Sequence, residues 1–154
     1  MINNVYKIKF YKSSFELSDE YERLSEYEKD IISELNTESF FDHEDELNNY
    51  ICFLITTPLE LDKYLKILKN NLIDFEFYDL SKEVLNNKIN LEDLENKLDS
   101  TNYYKYDFFM DDIESWIYDN LEIDIILDRI TEVGIDSLKE VEKNFLKNYN
   151  NEPN

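Results

Sequence analysis

Residues 50–78 read YICFLITTPLELDKYLKILKNNLIDFEFY, and the periodicities within them decide the fold. Tyr50 to Thr56 is short and nearly all apolar, the pattern of a strand covered on both faces and therefore central in a sheet. Thr57-Pro58-Leu59-Glu60 then opens a helix. Threonine caps it, proline takes the first helical position, and glutamate reaches back three residues on. Leu61, Tyr64, Leu65 and Leu68 form the inward stripe. Lys66 and Lys69 sit at the negative end of the helix dipole, and Asn70-Asn71 ends the helix. Leu72 to Tyr78 alternates again, with Ile73, Phe75 and Phe77 on one side. Strand, helix and strand in so few residues predict a βαβ unit with parallel strands and a right-handed crossover.

Upstream, Val5 to Tyr11 alternates Tyr6, Ile8 and Phe10 with lysines, a strand with one wet side. Ser18 caps a predicted helix to Asn36 along Tyr21, Leu24, Ile31 and Leu35. Residues 36–49 are polar and acidic, a loop or an acid-rich first helical turn anchored only by Phe40-Phe41. Downstream, short helices are expected over 81–86 and 91–99, the second using Leu91, Leu94 and Leu98. Tyr103 to Phe108 alternates as a further strand. From Asp107 the period is helical: Phe109, Ile113, Trp116 and Ile117 share a face, then Ile123, Ile126, Leu127 and Ile130. Gly134 stands where a left-handed helix cap would, and Ser137-Leu-Lys-Glu140 is a capping box opening a helix with Leu138, Val141, Phe145 and Tyr149 inward.

The expected fold is α+β. A small mixed sheet of three or four strands contains the βαβ unit, carries helices on one face, and is followed by a helical C-terminal third. One compact domain spans 1–149, with an α/β part over 1–100, a helical part over 107–149 and a frayed tail at 150–154.

The stretch IDIILDRITEVGIDSLKEVEKNFLKNY, Ile123–Tyr149, resembles a short C-terminal helical hairpin of assorted bacterial proteins, including the cytosolic tails of some rhomboid-type membrane proteases. The shared pattern is roughly I-D-x-I-L-D-K-I, a glycine, and a second helix opening on S-L; Arg129 stands where lysine is usual. The resemblance implies a helical hairpin and carries no catalytic residues across.

Composition narrows the function. The chain has 36 acidic and 16 basic residues, a formal charge of −20 over 154 residues. An AT-rich genome explains the many asparagines and single glycine, but it enriches lysine as readily as glutamate and leaves the charge unexplained. Twelve tyrosines, ten phenylalanines and a tryptophan supply a real core, so the acid is not a disordered tail. No apolar run approaches the roughly 20 residues of a membrane span, and no signal-peptide core opens the chain. The single Cys52 reads as a small buried hydrophobe. These features point to the cytoplasm.

Most site chemistries fail for want of residues. One glycine cannot build a phosphate loop. One histidine, His43, in a loop and away from Cys52, makes no nucleophile–imidazole dyad. Zinc sites lack ligands. Asp42-His43-Glu44-Asp45-Glu46 is the one metal-like cluster, and it lacks the glycine and ligand spacing of an EF-hand. No catalytic residue, cofactor or metal is therefore assigned; a metal-dependent enzyme built on that cluster is the least favoured alternative.

The acid itself is concentrated. Between Asp107 and Asp136 lie ten acids against Arg129 alone. Asp124–Asp128 and Asp128–Glu132 fall at i,i+4, which places carboxylates about 5–6 Å apart at Cβ, close to the charge spacing of a nucleic-acid backbone. Like charges so placed oppose the helix, so they are not there to stabilise it. Two partner-binding faces follow: Asp111, Asp112, Glu114, Asp119, Glu122, Asp124, Asp128 and Glu132, with Tyr103, Tyr104 and Tyr106 as aromatic anchors, and Glu20, Glu22, Glu26 and Glu28. Such a field repels nucleic acid and anionic membranes and steers in basic partners. The expected function is a non-enzymatic acidic inhibitor docking on a basic, nucleic-acid-binding protein, similar in charge and size to immunity, anti-restriction and anti-CRISPR proteins. The alternative is an accessory protein docking through its C-terminal helices, with the charge serving solubility.

Overall fold

The computed structural model describes residues 2–89, 91 and 103–151. Its elements are β1 (Asn4–Phe10), α1 (Ser14–Glu22), α2 (Glu26–Glu34), β2 (Thr37–Glu44), β3 (Tyr50–Thr56), α3 (Pro58–Asn70), β4 (Phe75–Asp79), α4 (Ser81–Leu85), α5 (Tyr103–Asn120), α6 (Ile123–Val133) and α7 (Glu140–Asn151). The class is α+β with a helical C-terminal part, as the sequence implies.

The sheet order is β2-β3-β1-β4, and every neighbouring pair is antiparallel. β3 and β4 do run in the same direction, because each is antiparallel to β1. They are not neighbours, however, so the sheet is antiparallel rather than mixed. The N-terminal strand lies between them: Val5 faces one layer, with Lys7 and Lys9 half-buried on the same side, and Tyr6, Ile8 and Phe10 face the other. Its insertion gives both β3 and β4 an antiparallel ladder, somewhat more stable per residue than a parallel one.

Helices cover both faces of the sheet, not one. Against the first face, Phe41, Ile51, Phe53 and Ile55 meet Tyr106, Phe109, Ile113 and Trp116 of α5, with Ile126 of α6 and Leu138 behind them. Against the second, Ile8, Phe10, Cys52 and Leu54 meet Leu61, Leu65 and Leu68 of α3. β3 dictates this arrangement, being buried at six of its seven positions and so needing cover on each side. Burial on this second face pushes the Cys52 thiol up to about 12. Cys52 is therefore expected to resist a thiol-specific reagent in native buffer and to react fully in denaturant; prompt native labelling would contradict its burial.

The fourth strand is not where sequence alone placed it. Residues 37–44, expected as a loop, form edge strand β2, in which Ser39, Phe41 and His43 are buried while Glu38, Phe40 and Glu44 are exposed. The Asp45 carboxylate then accepts the N–H groups of Leu47 and Asn49, both at 2.9 Å, to close the turn into β3. Tyr103 to Phe108, expected as a strand, is instead the start of α5. Tyr106, Phe109, Ile113 and Trp116 continue one helical stripe, and their burial on Phe41 and Phe53 outweighs the local preference of aromatics for strands. Of the short helix expected over 91–99, Leu94 and Leu98 lie outside the described residues; Leu91 is buried in the first core.

The single helix expected from Ser18 is two helices, each opened by a reciprocal capping box, Ser13 with Glu16 and Ser25 with Glu28. β4 starts at Phe75 rather than Leu72, because Leu72 leaves α3 at φ 57°, a turn conformation, before the strand begins. α7 opens at Glu140 rather than at Ser137, which ends a 3-10 turn from Ile135. Glu142 provides the working cap, accepting the Lys139 N–H at 2.9 Å.

Gly134 ends α6 at φ 84° and ψ 157°, a region open to glycine alone rather than the left-handed cap conformation. A Cβ there would meet nothing within 4 Å, so only backbone strain opposes it. Gly134→Ala is expected to lower unfolding free energy by about 1–3 kcal/mol in urea titration, and an unchanged midpoint would contradict this.

Candidate docking surfaces

α5 lies on the sheet by one stripe, so its opposite side must face water. That side presents Asp107, Asp111, Glu114 and Asp119, with Asp112 half-buried beside them. After the short link at Leu121 and Glu122, α6 buries Ile126 and Arg129 and presents Asp124, Asp128 and Glu132. Glu132 is paired, 3.6 Å from both Lys88 and Arg129. Asp107, Asp111, Asp112, Glu114, Asp119, Glu122, Asp124 and Asp128 form no ion pair with any described residue.

The N-terminal block differs. Glu20 accepts a hydrogen bond from Lys12 Nζ at 2.7 Å, with Arg23 at 4.0 Å, and the Lys12 contact holds its carboxyl below the usual range. Lys29 stands 3.7 Å from both Glu22 and Glu26. Glu28 is committed to its own helix cap and to Asn71 Nδ2 at 2.6 Å, which with the Ser25 bonds lowers its pKa. Internal partners thus occupy the four carboxylates of this face, whereas on the α5–α6 face, Glu132 aside, no described residue pairs with them. Sequence spacing made the two look alike; Lys12 and Lys29 distinguish them only once the chain is folded.

The aromatic anchors separate too. Tyr106 is buried, edge-on to Phe41 with centroids 5.7 Å apart, and belongs to the core. Trp116 is also buried and donates its indole N–H to the Asn3 carbonyl at 2.9 Å. Tyr103 and Tyr104 lie in the first turn of α5. Among the described residues, the exposed apolar groups on this surface include Phe108 and Leu127, at 54% and 51%. Leu127, expected inward with Ile126, is rotated out one step around the helix, and its neighbours Asp124 and Asp128 were the sign of that.

The Asp42–Glu46 segment does not converge as a metal cluster would. Strand alternation sends His43 to the first face, stacked parallel to Phe53 with ring centroids 6.0 Å apart, while Asp42 lies on the second face and accepts the Tyr50 hydroxyl at 2.8 Å. Asp45 is spent on its turn. Among the described residues no three of His, Cys, Asp and Glu are grouped to hold a metal ion. His43 and Cys52 point to opposite faces of the sheet, so they form no dyad. Among the described residues, no helix is long and apolar enough to cross a membrane.

The C-terminal segment Ile123–Tyr149 is a helical hairpin, and its two helices are joined through a nearly buried ion pair, Arg129 Nε to Glu142 Oε2 at 3.4 Å. Compared with known proteins, the chain matches no family model, no curated protein and no solved structure.

Proposed function

We propose that this is a non-enzymatic, cytoplasmic binding protein whose α5–α6 face docks on a basic, nucleic-acid-binding protein surface and competes there with phosphate. The observation that supports the reading most is the contrast between the two acidic faces: Glu132 aside, the α5–α6 carboxylates form no ion pair with a described residue, and all but the half-buried Asp112 are exposed. Each bare carboxylate at helical spacing offers a partner lysine or arginine the charge it would otherwise find on a phosphate. Phe108 and Leu127 supply apolar contact among the charges, the composition of an interface centre with a polar surround. An immunity-like, anti-restriction or anti-CRISPR role is the setting in which blocking such a surface is useful. The test is the ionic-strength dependence of binding: log affinity is expected to fall linearly with log salt, as for a nucleic-acid ligand, and a flat response would remove phosphate mimicry.

A second reading is favoured by a different observation. Val133, Ile135 and Tyr149 are exposed at the α6–α7 end, a surface suited to an accessory protein docking by apolar contact. Truncating the hairpin would not distinguish the readings, since Ile126 and Leu138 belong to the core. Ile135→Ser with Tyr149→Ser distinguishes them, because it leaves both cores and every α5–α6 carboxylate in place.

A further inference from the structure

The second face of the sheet is not fully filled. α1 and α2 bridge from its edge to α3, and beneath them lies an open cavity of about 300 Å³, at the small end of the range for ligand pockets. Its walls include the rings of Phe10, Tyr21, Tyr50 and Tyr64 and the carboxylate of Asp42. Phe10 and Tyr50 lean together at 45° with centroids 5.7 Å apart. Tyr50 donates its hydroxyl to Asp42 Oδ2 at 2.8 Å, whereas Asp42 Oδ1 stands 4.0 Å from Lys105 Nζ, at the outer limit of an ion pair. The Tyr64 phenol is driven well above its ordinary range by burial, and its hydroxyl makes no hydrogen bond with a described residue.

Aromatic faces and a part-buried carboxylate favour a cation, the Tyr64 phenol oxygen can accept an N–H, and the net charge of −20 turns anions away. We infer that this cavity binds a small organic amine carrying one aromatic ring, its ammonium on Asp42 and Tyr64 and its ring among Phe10, Tyr21 and Tyr50. The inference does not rest on the docking role of α5 and α6.

Phenethylamine, phenethyl alcohol and hydrocinnamate share one ring and differ in charge, so they test it together. Amide NMR titration of the full chain with the amine is expected to give saturable shifts at Leu17, Tyr64 and Ile73. The alcohol should bind about tenfold more weakly, the cost of one charge-assisted hydrogen bond, and the carboxylate not at all. Asp42→Asn, which still accepts the Tyr50 hydroxyl, should lose about tenfold in amine affinity, and Tyr64→Phe several-fold. Equal binding of amine and alcohol, or shifts that never saturate and spread along α5 and α6, would overturn the inference. So would an Asp42→Asn protein that binds as the parent does. If Asp42→Asn does not fold, Tyr64→Phe and the amine–alcohol ratio decide the matter.

Discussion

Glu142→Ala is expected to lower the stability of the protein by about 3–5 kcal/mol in urea unfolding. Glu142 is 3% exposed and does two jobs. One carboxylate oxygen accepts the Lys139 N–H at the start of α7, and the other meets Arg129 Nε at 3.4 Å. Removing it strands a guanidinium that is itself 9% exposed, with Glu132, 3.6 Å away, as its remaining ion-pair partner among the described residues. The cost of an orphaned buried charge exceeds the net worth of the intact pair, because burying the pair already consumed most of its Coulomb energy. A double variant separates the two quantities. Arg129→Met with Glu142→Leu removes both charges and keeps the volume, and it should recover most of the loss. If Glu142→Ala costs under about 1 kcal/mol, the pair behaves as a surface ion pair and does not hold α6 against α7.

The same pair shows what could and could not be read from residues alone. Arg129 was visible as the one cation in an acidic run, but nothing in a linear pattern says that it turns inward to a glutamate thirteen residues on. Helix α3 was legible because a hydrophobic period and a cap agreed there, and the strands at Tyr50 and Phe75, the stripe of α5 beyond Asp107 and that of α6 were legible from the period alone. β2 was hidden because Glu38, Asp42 and Glu44, with Phe40 among them, alternate with Ser39, Phe41 and His43 and mask the period-2 signal those three carry. The boxes at Ser13–Glu16 and Ser25–Glu28 were there to be found, and they divide what a single hydrophobic stripe had joined. The position of β1 between β3 and β4 had no local signal at all; it is a tertiary choice in favour of antiparallel neighbours. For the same reason the two acidic faces could not be ranked from composition. Which carboxylates find a lysine depends on how Lys12 and Lys29 lie across α1 and α2.

Replacing Asp124 and Asp128 together by lysine is expected to slow association with a basic partner by about ten- to a thousandfold at low salt, the range over which complementary fields steer encounter. The fold should not suffer, because an i,i+4 pair of like charges on α6 is a small penalty in the parent and stays one in the variant. Glu22→Lys with Glu26→Lys changes the net charge by the same amount on the other face, where both carboxylates already share Lys29. It is expected to alter association far less. Surface-plasmon kinetics on the two double variants therefore separate a local docking face from the field of the molecule as a whole. Equal losses would assign the effect to net charge alone and leave α5–α6 with no special part.

The most direct measurement is affinity capture from the native cell with the parent protein and the Asp124→Lys, Asp128→Lys variant, each washed at about 50 and 200 mM salt. A docking face on α5 and α6 requires a basic, nucleic-acid-binding protein to be held by the parent at the lower salt, shed at the higher, and missing from the variant at both. A neutral or acidic protein retained equally by parent and variant at either salt would contradict it.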